Sequence, residues 1–243
     1  MTMATSFARQ TTETSANEKG NLVMLSSEQP TRTPVDWQTG LPALLSPRVS
    51  LRELMPSDAQ SLHDLIATPD VQRYLAPGPK SVRDFEQFIR WTHETRESGQ
   101  YACFGVVPKG CEAAVGVFQV WPVEPGFATA EWGFALGAPF WGTGMFQECA
   151  QLVIDFAIET MGVRRLEARA AADNPRANGA LRKLGAVHEG TLRRCHKVGN
   201  EYRDHAMWSI LADEWVAGSE REAETATFEG VPALQPSLVA SAV

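Results

Sequence analysis

The sequence predicts one α/β domain over residues 37–216, and three observations support that prediction. Strand-like and helix-like patterns succeed one another along this part of the chain. A glycine-punctuated turn at 139–146 separates a strand pattern from a long amphipathic helix. The composition of the 243 residues, 44% hydrophobic and 21% charged, is ordinary for a globular chain. A domain of this length can bury a full core without disulfides or metals.

The first half of the domain is predicted to contain a strand, two helices and three further strands. Residues 49–54 alternate apolar and polar side chains, as a half-buried strand does. Ser57 or Asp58 can cap a helix running towards Ile66, and Ser81 can cap the second helix. The three strands that follow, joined by Gly/Pro turns, are expected at 101–107, 114–121 and 129–136.

The second half is predicted to contain a helix, a strand, a short helix and a closing hairpin. The long helix has an apolar stripe opposite an acidic face, and Gly162 is suited to end it. Asn174 can cap the short helix, with Pro175 at its first position and Gly185 at its end. The remaining elements are expected at 145–161, 165–171, 187–197 and 201–211.

The segments outside the domain and the cysteines limit the kind of protein that this sequence can encode. Residues 1–36 and 217–243 are expected to be disordered tails, because they lack apolar periodicity. The four cysteines form no C-x-x-C pair, so reduced thiols are expected and a metal site is not. No apolar run approaches the roughly 20 residues that span a bilayer, and no secretory signal is recognisable. We therefore expect a cytoplasmic protein without a membrane partner.

The charge is unevenly distributed. The net charge of −7 argues against nucleic acid as a partner. Residues 164–197 nevertheless hold nine Lys or Arg against three Asp or Glu, a local balance of +6. Such a block suits a polyanionic ligand, although a solvated basic face is the alternative.

The glycine turn has a specific chemistry. Gly142 and Gly144 lie immediately before the long helix, where backbone N–H groups and the helix dipole favour an anion. A phosphate-bearing ligand is the natural occupant. A Gly-x-Gly pair also occurs in ordinary strand-to-helix turns, so the pair alone does not establish a phosphate site.

Several motifs in this order resemble the GNAT acyl-CoA N-acyltransferases. The W-G-x-G turn and the segments after it that share this resemblance lie at 141–144, 174–178, 183–186, 189–193 and 202–205. The last two resemble the ribosomal-protein N-terminal (RimJ/RimL-like) branch. The resemblance covers roughly residues 48–216. It implies a mixed, mostly antiparallel central sheet flanked by helices, and acetyl-CoA as the cosubstrate.

The resemblance also implies which residues bind the cofactor. The turn would hold the pyrophosphate, and strand 131–136 would lie along the pantetheine arm. The cofactor-binding residues expected on this basis are Phe134, Leu136, Trp141, Gly142, Thr143, Gly144, Met145, Phe146, Asn174, Asn178 and Lys183. Trp141 and Phe146 depart from the family pattern, and Phe146 either crowds the pyrophosphate or points into the core. The alternative for Asn174 is that it only caps a helix. The alternative for Asn178 is that it is an ordinary solvated residue in the first turn of that helix.

Two carboxylates are candidates for the general base. Glu131 lies in an otherwise apolar segment, and burial beside aromatic rings would raise its pKa to a useful value. Its alternative role is purely structural. Glu189 matches a carboxylate in the related acetyltransferases. Further candidates, each more often structural, are His188, His196, His205 and Asp204.

The resulting hypothesis is transfer of an acetyl group from acetyl-CoA to a primary amine of a peptide N-terminus or a small molecule. An α-amine is favoured, since deprotonation at pH 7 costs about 1–1.5 kcal/mol, against about 4–5 for lysine. A non-catalytic acyl-CoA sensor or scaffold is the alternative. A dinucleotide-dependent oxidoreductase is excluded, because the turn lies beyond residue 140 and lacks a third glycine. The acceptor, and the choice between monomer and homodimer, stay open.

Overall fold

A computed structural model describes residues 36–75, 78–198 and 201–216. The two predicted tails lie outside these residues, apart from Asp36. The helices are α1 (Ala59–Ile66), α2 (Pro69–Gln72), α3 (Val82–Glu97), α4 (Met145–Glu159) and α5 (Pro175–Lys183). The strands are β1 (Leu44–Leu45), β2 (Val49–Glu53), β3 (Ala102–Pro108), β4 (Gly116–Pro122), β5 (Thr129–Leu136), β6 (Arg165–Ala171), β7 (Val187–Val198) and β8 (Glu201–Leu211). Short 3₁₀ turns lie at Pro56–Asp58 and Ala138–Phe140.

The strands form one sheet in the order β1-β2-β3-β4-β5-β6-β8-β7. All neighbours are antiparallel except β5 and β6, which are parallel. The predicted mixed, mostly antiparallel sheet flanked by helices is thus confirmed, as is the predicted succession of the longer elements. The structure adds β1 and α2, which are too short to leave a periodic pattern in the sequence. Within the described ranges, none of the helices has the length and apolar character needed to cross a bilayer.

The two central strands, β5 and β6, stop pairing with each other about halfway along β5. β5 pairs with β4 from Ala130 to Leu136, but with β6 only from Thr129 to Glu131. Further along, β6 continues to pair with β8 as far as Ala171. We call the opening between residues 132–136 of β5 and 168–171 of β6 the strand fork. It leaves one edge of β5 available to a ligand, since unpaired strand edges bind extended partners.

Helices cover the sheet on both faces. On one face α4 and α5 pack on alternate residues of β5, β6 and β8, and this is the larger core. Its buried members include Trp132, Leu136, Cys149, Val153, Phe156, Leu166, Leu181 and Trp208. On the other face α1 and α3 cover β3 and β4. That smaller core includes Leu54, Leu62, Phe85, Ile89, Cys103 and Val117.

Two side chains fix the helices of the smaller core. Ser81 caps α3 as predicted, its Oγ accepting a hydrogen bond from the Asp84 amide. Asp58 stands at the start of α1 but makes no cap hydrogen bond within that helix. Its fully buried carboxylate instead accepts from the Ala114 amide and binds Arg52 at 2.8 and 2.9 Å. The pair ties α1 to β2 and to the chain leading into β4.

Candidate active site

A cavity of about 990 Å³ lies at the strand fork. Its walls come from β4, β5 and β6, the turn before α4, one side of α5, the α1–α3 region, and the hairpin of β7 and β8. Of the predicted site residues, nine line it: Glu131, Phe134, Leu136, Trp141, Gly142, Gly144, Phe146, Asn174 and Lys183. Four predicted residues are outside the lining: Thr143, Met145, Asn178 and Glu189.

The glycine turn has the backbone conformation that its sequence requires. Gly142 and Gly144 have φ angles of 73° and 83°, in the left-handed region that glycine tolerates best. Gly144 is the N-cap of α4 and supplies no side chain to satisfy the helix amides. Thr143 braces the turn instead, since its Oγ1 donates to the Phe140 carbonyl and accepts from the Met145 amide. The exposed turn therefore presents a helix N-terminus to the cavity.

Trp141 and Phe146, the two departures from the family pattern, both serve the cavity wall. The Trp141 Nε1 donates to the Leu136 carbonyl at 2.7 Å, which locks the indole over the end of β5. Phe146 packs its ring on Phe134 at 4.6 Å and on Phe118 at 5.7 Å between centroids. Of the two alternatives for Phe146, the structure has the one in which the ring points into the core. The ring still forms part of the cavity lining.

Cations collect around this part of the cavity. Arg176 and Lys183 of α5 and Arg169 of β6 all line it, so the structure brings part of the predicted basic block to one place. The Arg176 Cζ lies 3.5 Å from the Trp141 ring centroid, a cation–π contact that orients the guanidinium. Arg48, which no motif in the sequence singles out, lies outside the lining, where it donates to the Thr143 carbonyl and pairs with Glu148. The three cations that line the cavity suit a ligand with several phosphates.

Glu131 lies at the mouth of the strand fork. Its side chain is 17% exposed, and its Oε2 lies 3.6 Å from the Arg169 Nε. Burial raises the pKa of Glu131; Arg169 opposes the rise and the neighbouring Glu167 adds to it. The carboxylate is therefore a better proton acceptor than an exposed glutamate, and it faces the cavity.

Glu189 is held in a different environment. Arg165 binds both of its carboxylate oxygens, at 2.8 and 2.5 Å, and the Ser209 Oγ donates to it at 2.7 Å. Hydrogen bonds from Arg165 and then Ser209 lower the pKa of Glu189 to about 2. A carboxylate that is so weakly basic, and that lies outside the cavity lining, is poorly placed to accept a proton from a bound amine.

The two asparagines have separate roles. Asn174 lines the cavity and also caps α5, its Oδ1 accepting from the Ala177 amide at 3.1 Å. Asn178 points back into the protein, where its Nδ2 donates to the Ala171 and Asn174 carbonyls. Its Oδ1 accepts from the Trp208 Nε1 at 2.9 Å. Asn178 thereby fixes α5 against β6 and β8, behind the lining.

Two of the predicted histidines meet in the cavity wall. His196 and His205 stack with centroids 4.7 Å apart, and the Nε2 atom of each is buried without a hydrogen-bond partner among the described residues. Burial, His196 and Arg169 lower the pKa of His205, against an opposite effect of Asp173. The other candidates lie outside the lining. His188 packs on Trp208, and Asp204 accepts from the Arg194 amide within the closing hairpin.

The part of the chain that the structure describes contains no group of three or more His, Cys, Asp or Glu side chains placed to hold a metal ion. The cavity lining brings together the Glu131 carboxylate, the N-terminus of α4, the free edge of β5, several cations and the stacked pair His196 and His205.

Comparisons with known proteins agree with this arrangement. The family model described as acetyltransferase (GNAT) domain matches residues 48–187, more than half of the chain. An uncharacterized N-acetyltransferase of Bacillus licheniformis, p20, is 27% identical over 173 residues, covering 71% of this chain and 97% of p20. The [ribosomal protein uS5]-alanine N-acetyltransferase of Escherichia coli (strain K12) is 23% identical over 184 residues, covering 72% and 93%.

A solved structure shares the fold. Mycobacterium smegmatis RimJ, in complex with CoA-disulfide, matches with a TM-score of 0.63 at 19% identity, covering 68% of this chain and 83% of RimJ. The fork, the glycine turn and the family match agree with one another. The chain therefore belongs to the GNAT acetyltransferase family, enzymes that transfer acetyl groups from acetyl-CoA.

Proposed function

We propose that this enzyme transfers the acetyl group of acetyl-CoA to a primary amine, of a small molecule or a peptide N-terminus, with Glu131 as general base. The observation that supports this assignment best is the position of Glu131. It is a largely buried carboxylate with a raised pKa, at the mouth of the strand fork and on the cavity wall.

The residues at the cavity fit acetyl-CoA. The N-terminus of α4 at Gly142 and Gly144 would hold the pyrophosphate, and Arg176 and Lys183 would add charge complementarity. The free edge of β5 would pair with the amides of the pantetheine arm. Bound acetyl-CoA supplies a thioester carbonyl as the electrophile and a thiolate as the leaving group.

Glu131 would accept the proton that the amine loses. Transfer forms the C–N amide bond and breaks the C–S thioester bond, whose electron pair leaves with sulfur. The raised pKa of Glu131 reduces the difference between its pKa and that of the amine. Arg169 opposes part of this rise and so favours the ionised carboxylate, the form that accepts a proton. An α-amine suits this base better than lysine, because its pKa is lower by about 2.5 units.

The test is acetyl-CoA-dependent thiol release with a panel of primary amines, comparing Glu131→Gln with Glu189→Gln. Loss of a general base lowers kcat by roughly 10²–10⁴-fold. We expect a loss of that size in Glu131→Gln with unchanged affinity for acetyl-CoA, and at most a several-fold change in Glu189→Gln. Full activity in Glu131→Gln would refute its role as base. Tight binding of acetyl-CoA without turnover of any amine would instead favour the sensor.

A further inference from the structure

Trp121 and Glu131 are neighbours across two strands. They pair directly in the register of β4 and β5, so their side chains leave the sheet on the same face. Both line the cavity, on the face opposite α4 and α5. An amine placed at the Glu131 carboxylate therefore has the Trp121 indole beside it.

A glycine lets this indole lie close against β5. A Cβ atom at Gly133 would be 3.1 Å from the Trp121 ring, closer than an ordinary van der Waals contact. The ring therefore covers the Gly133 backbone, two residues from the base. The indole therefore offers a flat apolar surface to the part of an acceptor that lies next to its reacting nitrogen.

Three further rings support Trp121. It stacks on Tyr101 with centroids 6.0 Å apart and planes inclined by 19°. Tyr101 contacts Trp91 at 4.7 Å, and Trp91 stacks on Phe88 at 6.1 Å. The two end rings, Trp121 and Phe88, line the cavity, whereas Tyr101 and Trp91 are outside its lining. Such a row holds the two lining rings in place before a ligand arrives, which reduces the entropy lost on binding.

The adjoining wall, formed by α1, α2, α3 and the segment after α2, is mainly apolar. Ile66, Val71, Leu75 and Phe85 line it, together with the polar Asp70, Gln72 and Tyr74. The Arg203 side chain of β8 donates to the Arg73 carbonyl at 3.0 Å, which ties that segment to the hairpin on the far side of the cavity. The acceptor side of the cavity thus combines the Glu131 carboxylate with an extended, mainly aromatic and aliphatic surface.

We infer that the acceptor is an amine whose neighbouring carbon carries an aromatic or large apolar group. This inference rests on the proposed function. The apolar group packs on Trp121, while the nitrogen faces Glu131, and a larger group can extend along the apolar wall that includes Phe88. Compact polar amines lack a group that covers these rings, so they gain less from binding.

The test compares phenylalaninamide with alaninamide as acceptors. Both present an α-amine next to an amide, and they differ by a phenyl ring. Burial of that ring on Trp121 is expected to raise kcat/KM for phenylalaninamide at least about tenfold over alaninamide. Trp121→Ala should bring this ratio close to one, without changing the KM for acetyl-CoA. Trp121→Phe should restore most of the preference.

Tyr202→Ala is the control, since Tyr202 is an aromatic residue that is 60% exposed and lies outside both the row of rings and the cavity lining. It should leave the ratio within about threefold of the wild-type value. Equal kcat/KM for the two amides in the wild type, or an unchanged ratio in Trp121→Ala, would overturn the inference while the proposed function stands. Absence of turnover with every primary amine would overturn both.

Discussion

Glu131 and Glu167 face each other at the last registered pair of the parallel strands β5 and β6. Arg165, which also binds Glu189, donates a hydrogen bond of 2.8 Å to Glu167, which is 8% exposed. Glu131 has a looser contact, with Arg169 at 3.6 Å, and its pKa is raised. The place where the strands separate thus also holds a carboxylate suited to accept a proton.

The pH dependence of the reaction should reflect the protonation of Glu131. Because its pKa lies above the ordinary 4.5, kcat/KM should fall on acidification at a higher pH than for an exposed glutamate. Arg169 lowers this pKa, so Arg169→Gln should move the acidic limb to higher pH. The measurement is a kcat/KM profile for both proteins. A limb that stays in place or moves to lower pH in Arg169→Gln would contradict this assignment.

Glu189 should stabilise the fold without taking part in the reaction. Its pKa is lowered to about 2, so it contributes stability above its ordinary value of 4.5 and loses it as the pH falls towards 2. Solvent screens this pair, since the Glu189 side chain is 38% exposed. Glu189→Gln should therefore cost about 1 kcal/mol at pH 7. Urea unfolding at pH 7 and near pH 4 should show the difference shrinking on acidification; a difference that grows would contradict the assignment.

The glycine turn should matter for the ligand more than for the fold. Gly142 and Gly162 have φ angles of 73° and 75° with open space around them, so alanine at either site meets similar backbone strain, about 1–2 kcal/mol. Gly142→Ala should weaken acetyl-CoA binding as well, because Gly142 lines the cavity before α4. Gly162→Ala, after α4, should not. Equal acetyl-CoA affinities by calorimetry would show that the turn is not the phosphate site.

Arg176 should contribute to phosphate binding through its charge. Arg176 lines the cavity above Trp141, whereas Arg182 of the same helix lies 5.6 Å from the Trp208 ring and is outside the lining. Arg176→Ala should weaken acetyl-CoA binding several-fold at low salt and less at high salt. Arg182→Ala is the matched control. Similar affinities for both variants across the salt range would contradict a specific role.

The sequence alone was sufficient to predict the elements whose apolar pattern repeats over several helical turns or strand residues. β2 to β8 and the longer helices follow from apolar periodicity, caps and turn glycines. β1 and α2, of two and four residues, are too short for a period to show. Their positions depend on packing against β2 and α1.

The site was predictable where one residue departs from its surroundings. Glu131 could be selected as a carboxylate in an apolar strand, and Gly142 and Gly144 as a turn before a helix. Trp121 and Arg169 could not, because only the sheet register brings them beside Glu131. The ion pair of Glu189 joins it to a residue 24 positions away. Such partners belong to the tertiary structure.

The most direct test of the acetyl-CoA site is thermal unfolding of the protein with and without acetyl-CoA, with NAD as the control. A ligand at 100 times its Kd adds about 2.7 kcal/mol to the stability of the protein that binds it. For a domain of this size we expect a rise in Tm of several degrees with acetyl-CoA and none with NAD. An unchanged Tm at saturating acetyl-CoA, or an equal rise with NAD, would contradict an acetyl-CoA site at the strand fork.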